Sequence, residues 1–219
     1  MDATIPVSKH FVAVGGILNA SKWDPGYQAI PISKAIKHPN YKGAEADIAV
    51  LIFKKPFSKS KVVKLPFNKV VIPEGANVQI VGWTSDGHLG YENCVVEDTK
   101  TCQEDGIEGI DFSEHICIGR SVEQFVEGLT VDPGSPVFYR NTLVGIMSKS
   151  DPSYPGADEA YLDILAYEDF IMQYLPGEKE DPKGIGNVYR SQFPNSGLRL
   201  EVSSWRIFIL RVVSTMIMF

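Results

Sequence analysis

Short apolar runs separated by turn residues recur along the chain: Phe11–Val14, Ala35–Lys37, Ile48–Phe53, Val78–Trp83, Val137–Tyr139, Leu143–Met147 and Tyr161–Leu165. Runs this short, bounded by Gly, Pro, Asn and Asp, predict antiparallel strands of a sandwich or barrel. The pattern changes after Tyr167. Phe170, Ile171, Tyr174 and Leu175 fall at i, i+1, i+4 and i+5, which is one face of a helix. Glu168 and Asp169 suit its first turn, and Pro176-Gly177 stops it.

Beyond Gly177 the chain turns polar and turn-rich (GEKEDPKGIGNVYRSQFPNSG) and reads as a linker. It ends in WRIFILRVVSTMIMF, which Arg206 and Arg211 interrupt. That segment is short for a membrane helix and reads as a β-prone end or a strand needing a partner. No run reaches the roughly 18 apolar residues of a membrane span, so a membrane protein is not expected. Pro66, Pro73 and Glu74-Gly75 mark a boundary near residue 75. The expected units are therefore 1–75, 76–176, and a tail 177–219 outside the fold.

Composition supports a β-rich fold: 14 Pro, 19 Gly and 11% aromatic residues among 219, with 44% hydrophobic and 22% charged. The net charge of −6 is unevenly spread. Residues 1–73 carry 11 Lys/Arg against 4 Asp/Glu, and residues 74–181 carry 5 against 22. Two units that attract each other are one consequence. The run Lys54–Lys69 could also attract a polyanion, but alternating lysines more simply form a solvated face, and no nucleic-acid partner is expected.

The three cysteines, Cys94, Cys102 and Cys117, are too few for a disulfide scaffold and lack the paired spacing of a zinc site. At most one bridge can form. There is no glycine-rich phosphate loop, and neither metal nor cofactor is expected. The opening MDATIPVSKH has neither a basic n-region nor an apolar h-region, so no secretory signal is read in it.

Four segments, in order, resemble the trypsin-like (chymotrypsin-fold) serine peptidases. His38–Phe57 (HPNYKGAEADIAVLIFKKPF) is similar to the stretch carrying the triad aspartate, here Asp47, and Ile80–Trp83 (IVGW) to the strand opening the second barrel. Val131–Ser148 (VDPGSPVFYRNTLVGIMS) resembles the nucleophile loop and following strand pair, and Tyr161–Ile171 the last strand running into a C-terminal helix. The resemblance covers roughly residues 10–175. It implies an all-β fold of two antiparallel barrels, the first incomplete, with a short C-terminal helix and a tail.

The chemistry of that family needs a hydroxyl nucleophile, an imidazole base, an orienting carboxylate and two backbone N–H groups for the oxyanion. Where the family reads Gly-Asp-Ser-Gly-Gly-Pro, this chain reads Val131-Asp132-Pro133-Gly134-Ser135-Pro136. Pro133 removes the nucleophile and one oxyanion donor together. Ser135, two positions along, lies too far from the geometry built around one position. The family spaces histidine, aspartate and serine by roughly 45 and 93 residues. Asp47 and Pro133 are 86 apart, and the same ruler puts the histidine near Asp2. His10, His38, His88 and His115 do not fit the base and read as surface or turn histidines.

By the same resemblance, Asp47 is a remnant of the triad, and Asp132 holds the position that pairs with a new N-terminal amine after activation. Glu127 falls at the base of the specificity pocket, with Ser148-Lys149-Ser150 as its wall. Cys102 and Cys117 match a family bridge. Val78 with Tyr139, and Leu129 with a residue of 150–156, replace two others, and Cys94 resembles a cysteine whose partner lies further upstream. The expected function is a catalytically inactive, secreted homologue that binds a protein, such as another protease or its substrate, in a proteolytic cascade. An endopeptidase represented by an incomplete chain, or a truncated product that does not fold, are the alternatives.

Overall fold

The computed structural model describes residues 4–5, 11–22, 24–42, 45–58, 64–67, 70–104, 107, 110–120, 126, 128–150, 159–175 and 207–210. Within these, the strands are β1 (Thr4–Ile5), β2 (Val12–Gly15), β3 (Gln28–Lys37), β4 (Ala49–Phe53), β5 (Asn77–Thr84), β6 (Leu89–Val96), β7 (His115–Gly119), β8 (Leu129–Thr130), β9 (Pro136–Tyr139), β10 (Thr142–Ser150), β11 (Glu159–Asp163) and β12 (Ile207–Leu210). Two short helices, α1 (Thr99–Glu104) and α2 (Glu168–Met172), and a 3₁₀ turn (Ile164–Tyr167) complete the set.

The first sheet runs β1-β3-β4-β12, with β2 also on β3, and stays open among the described residues. The second runs β6-β7-β11-β10-β9-β5, and a β5–β6 pairing closes it into a six-stranded barrel with β8 attached to β5. The expected pair of barrels, one incomplete, is thus present.

Alternation along each strand fills the closed barrel. Val78 and Ile80 of β5, Cys94 and Val96 of β6, Ile116 and Ile118 of β7, and Tyr161 of β11 converge in one buried cluster with Val137, Val144 and Met147. Gly82 is required where β8 crosses β5, because a Cβ there would stand 2.2 Å from the Thr130 carbonyl oxygen.

A second cluster seals the seam between the two units. It joins Ile36 and Val50 of the first sheet, and Ile48 just before β4, to Ile146 and Leu162 on the outer face of the barrel, with Phe170, Ile171 and Leu175 wedged between. The helical face read from periodicity is therefore the buried one. Fully burying a side chain such as Ile171, which is 0% exposed, contributes roughly 1.5–3 kcal/mol.

The elements differ from the sequence reading in three places. Ala35–Lys37 is only the end of a ten-residue strand, since Pro31 and Lys34 break its apolar pattern. β1, β6, β7, β8 and α1 were not predicted: in β6 polar residues interleave with the buried positions, whereas β7 (HICIG) is buried throughout but opens on a histidine. Ile164 and Leu165 leave the strand: the Asp163 carboxylate accepts the Leu165 N–H at 2.9 Å and starts the 3₁₀ turn. From the apolar C-terminal segment, Ile207–Leu210 runs antiparallel to β4, with Ile207 opposite Ile52. The Pro176-Gly177 stop lies outside the described residues.

Candidate active site

Pro133, which the resemblance aligns with the nucleophile, sits in the loop before β9. The Ser135 N–H donates to the Asp132 carbonyl at 2.8 Å, closing a four-residue turn with Pro133 and Gly134 at its centre. Gly134 has φ +97°. Proline followed by a positive-φ glycine is the pattern of a type II turn, so this loop folds as its sequence dictates.

The turn also spends its donors. The Gly134 N–H donates to the Met147 carbonyl at 2.9 Å, the Met147 N–H returns to Ser135 at 2.8 Å, and Pro133 has no N–H. From Pro133 to Ser135, then, no backbone donor faces outward to hold an oxyanion. The Ser135 hydroxyl is buried, and its oxygen has no hydrogen-bond partner among the described residues. Pro133 itself is exposed, and Asp132 is half-buried.

Asp47 is 0% exposed at the seam, between Ala46 and Ile48 of the seam cluster. The Ile48 N–H reaches back to the Ala46 carbonyl at 2.8 Å, and Ala46 takes the left-handed conformation at φ +47°. This tight bend turns the Asp47 carboxylate inward just before β4. A non-glycine residue held there is locally strained, and such positions cluster at functional sites.

An imidazole does lie within electrostatic reach of Asp47, but it is not one that spacing singled out. His115 opens β7 opposite Leu162 of the seam and is 5% exposed. Its Nδ1 lies 2.7 Å from the Asp111 carbonyl, which makes Nδ1 the protonated nitrogen. Nε2 is buried and has no hydrogen-bond partner among the described residues. Burial lowers the His115 pKa, opposed by the Asp111 hydrogen bond and by the charges of Glu114, Asp111 and Asp47. Asp163, on the far side, is pushed up by burial and eased by the Leu165 N–H and His115.

The sequence reading of His115 as a surface or turn histidine is therefore corrected: β-sheet register turns it into the seam. His38 is corrected in part. It caps the HPNY turn, its carbonyl accepting from the Tyr41 N–H at 3.1 Å. Its ring, however, stands edge-on against Phe170 and Tyr167, at 4.8 and 5.3 Å between centroids, and burial lowers its pKa. His88 is exposed at the β5–β6 turn, as read. His10 and Glu127 lie outside the described residues, as do the side chains of Lys149 and Ser150. Ser148, first residue of the pocket wall, is 0% exposed.

Cys102 and Cys117 form a disulfide, with 5.9 Å between their Cα atoms. Cys94 is a buried free thiol, pushed up to about 12 by burial first and then by Glu92.

That thiol borders a cluster the sequence reading missed. Inside the barrel, Arg120 meets Glu92 at 2.6 Å and Glu159 at 3.6 Å, and all three side chains are at most 9% exposed. The Tyr161 hydroxyl donates to Glu159 at 2.7 Å, and burial raises its pKa well above the usual tyrosine value. Period 2 could have found it: Glu92 shares the inward face with Cys94 and Val96, and Glu159 that of Tyr161. Among the described residues no group of three His, Cys, Asp or Glu could hold a metal ion, and no helix is long and apolar enough to cross a membrane.

One closed β-barrel packed against an open sheet, with a buried aspartate at the seam and a short terminal helix, is the architecture of a chymotrypsin-type scaffold. Residues 6–171 match the Trypsin family, and the chain belongs to it. It is 26% identical to human (Homo sapiens) granzyme B over 145 residues, covering 61% of this chain and 58% of that protein. To rat (Rattus norvegicus) granzyme B it is 30% identical over 156 residues, covering 65% and 62%. The chain thus spans about three-fifths of these relatives. A solved structure described as "Structure of GrC" superimposes with a TM-score of 0.66 at 21% identity, covering 79% of this chain and 83% of that one, which shows the shared fold.

Proposed function

We propose that this trypsin-like serine peptidase domain is catalytically inactive and acts by binding another protein. The observation that carries the reading is the Pro133-Gly134 turn: it supplies no hydroxyl at the nucleophile position and directs its amides into the protein. One missing oxyanion donor alone costs roughly 2.7–4 kcal/mol of transition-state stabilisation. Ser135 does not rescue it, because its hydroxyl is buried. Nor does His115, whose Nδ1 is committed to Asp111 and whose Nε2 is sealed from solvent.

The chain spans only part of its relatives' length, which favours keeping the endopeptidase as a second reading. Further chain could bring a histidine to Asp47, but it could not put a hydroxyl on Pro133. Secretion belongs to the same proposal, since a disulfide such as Cys102–Cys117 persists in an oxidising compartment. The partner proposed is another protease or its protein substrate.

A fluorophosphonate probe that labels activated serines tests the first half. No labelling and no peptide hydrolysis are expected, and labelling of this chain would overturn inactivity. For the second half, the folded chain is added to an active trypsin-family peptidase with a protein substrate. A changed turnover rate is expected; an unchanged one removes the adaptor role.

A further inference from the structure

A strap of polar contacts joins the first sheet to the barrel, away from the seam cluster. The β2–β3 loop lies along the β5–β6 turn: the Leu89 N–H donates to the Leu18 carbonyl at 2.9 Å, and the Ala20 N–H to Gly87 at 2.7 Å. Between these backbone bonds, the Asn19 Nδ2 stands 3.1 Å from the His88 Nε2. Gly87 is held at φ +86°, and a Cβ there would stand 2.8 Å from the Ser21 hydroxyl, so the two loops touch closely.

The orientation of each group is fixed by its other partners. The Asn19 Oδ1 accepts two backbone N–H groups, from Ser21 at 2.8 Å and Lys22 at 3.0 Å. Its Nδ2 must therefore face His88 and donate. The His88 Nε2 must then be the bare, accepting nitrogen, and the proton sits on Nδ1, 2.9 Å from the Asp86 carboxylate. Asn19 is only 9% exposed and cannot simply turn to water.

We infer that this strap is a proton-sensitive clasp between the two units, closed when His88 is neutral and opened when it is protonated. An imidazolium carries N–H on both nitrogens, so Nε2 would meet Asn19 donor to donor. Asp86 does not reverse this. It bonds Nδ1 in either state, and bonds from Thr84 and His88 hold its own carboxyl below the usual range, so it stays charged. The remaining charged side chains of the facing loop are Lys22, which is exposed, and Asp24, whose carboxylate accepts the Leu18 N–H at 2.9 Å.

Hydrogen exchange of the two bridging amides, Ala20 and Leu89, reads the clasp directly. After correction for intrinsic exchange, their protection is expected to fall roughly three- to tenfold from pH 8 to pH 5, the worth of one ordinary hydrogen bond. His88→Gln, which offers Asn19 a carbonyl oxygen that does not titrate, should keep protection constant. Asn19→Asp should invert the trend, because a carboxylate accepts from the imidazolium. Equal pH profiles in the wild type and His88→Gln would overturn the proposal, as would a ¹⁵N spectrum at pH 8 placing the His88 proton on Nε2.

Discussion

The open first sheet packs an apolar interior of Ala13, Ile30, Ile32, Ala35, Leu51 and Phe53, whereas the closed barrel holds charge inside. The difference follows from closure. In the barrel every strand has two neighbours, so β6, β7 and β11 are fixed relative to one another and bring Arg120 onto Glu92 by a hydrogen bond, within ion-pair distance of Glu159, which in turn accepts from Tyr161. An ion cluster taken out of water is tolerable only with such geometry, since its desolvation cost is otherwise not offset. The first sheet stays open among the described residues and buries apolar side chains that need no fixed partner. The same contrast separates the two places where chemistry was sought: Asp47 lies at the seam the first sheet helps form, and the best-partnered ionisable groups lie inside the barrel.

The comparison breaks most sharply at Arg120. Arg120→Met should cost roughly 3–5 kcal/mol in urea unfolding, because it leaves the Glu92 and Glu159 carboxylates buried without their cation. Lys34→Met, exposed on the first sheet, should stay within about 0.5 kcal/mol. Similar losses for the two variants would show that the buried cluster has no special standing.

Next in size is the Cys102–Cys117 bridge, which closes a 15-residue separation. The Cys102→Ser/Cys117→Ser double variant should lose roughly 3 kcal/mol by chain entropy. Hydrogen exchange should place that loss in the barrel and leave the β2–β3 pairing unchanged.

A pH titration sharpens the contrast at the seam. Burial lowers the His115 pKa from 6.5, so below that value the unfolded chain binds a proton that the folded chain resists. The stability His115 contributes is thus fully present above about pH 6.5 and is lost as the pH falls toward its lowered folded value. Stability measured from pH 8 to 5 should fall in the wild type and fall less in His115→Gln. Identical slopes would place His115 in solvent.

The smallest effect concerns the turn. Pro133→Ala should cost roughly 0.4–1 kcal/mol, through the freedom gained by the unfolded chain. Pro133→Ser should restore no hydrolysis, since the imidazole within electrostatic reach of Asp47, that of His115, is buried and bonded to the Asp111 carbonyl rather than free to take the serine proton. Measurable turnover by Pro133→Ser would mean that proline alone had silenced the site.

How far the sequence could be read depended on how local the cause was. The HPNY turn at His38 and the face carrying Phe170 and Ile171 are set by residues within a few positions, and each was legible. The full length of β3 was not, because Pro31 and Lys34 interrupt its apolar run and only pairing with β2 and β4 holds those residues extended. The buried cluster was hidden for a related reason. Glu92, Arg120 and Glu159 look like ordinary surface charges until three strands from distant parts of the chain are placed side by side.

By itself the sequence determined that residue 133 offers neither a hydroxyl nor an N–H, since no fold can give proline either. It also determined the strand-rich class and the short helix, through local periodicity and turn chemistry. Only the tertiary structure decided that His115 enters the seam beside Asp47, that Asn19 clasps His88 across two units, and that Arg120 neutralises carboxylates inside a barrel. Those facts depend on strand register and chain closure between residues 28 to 69 positions apart, distances over which side-chain identity alone carries no geometry.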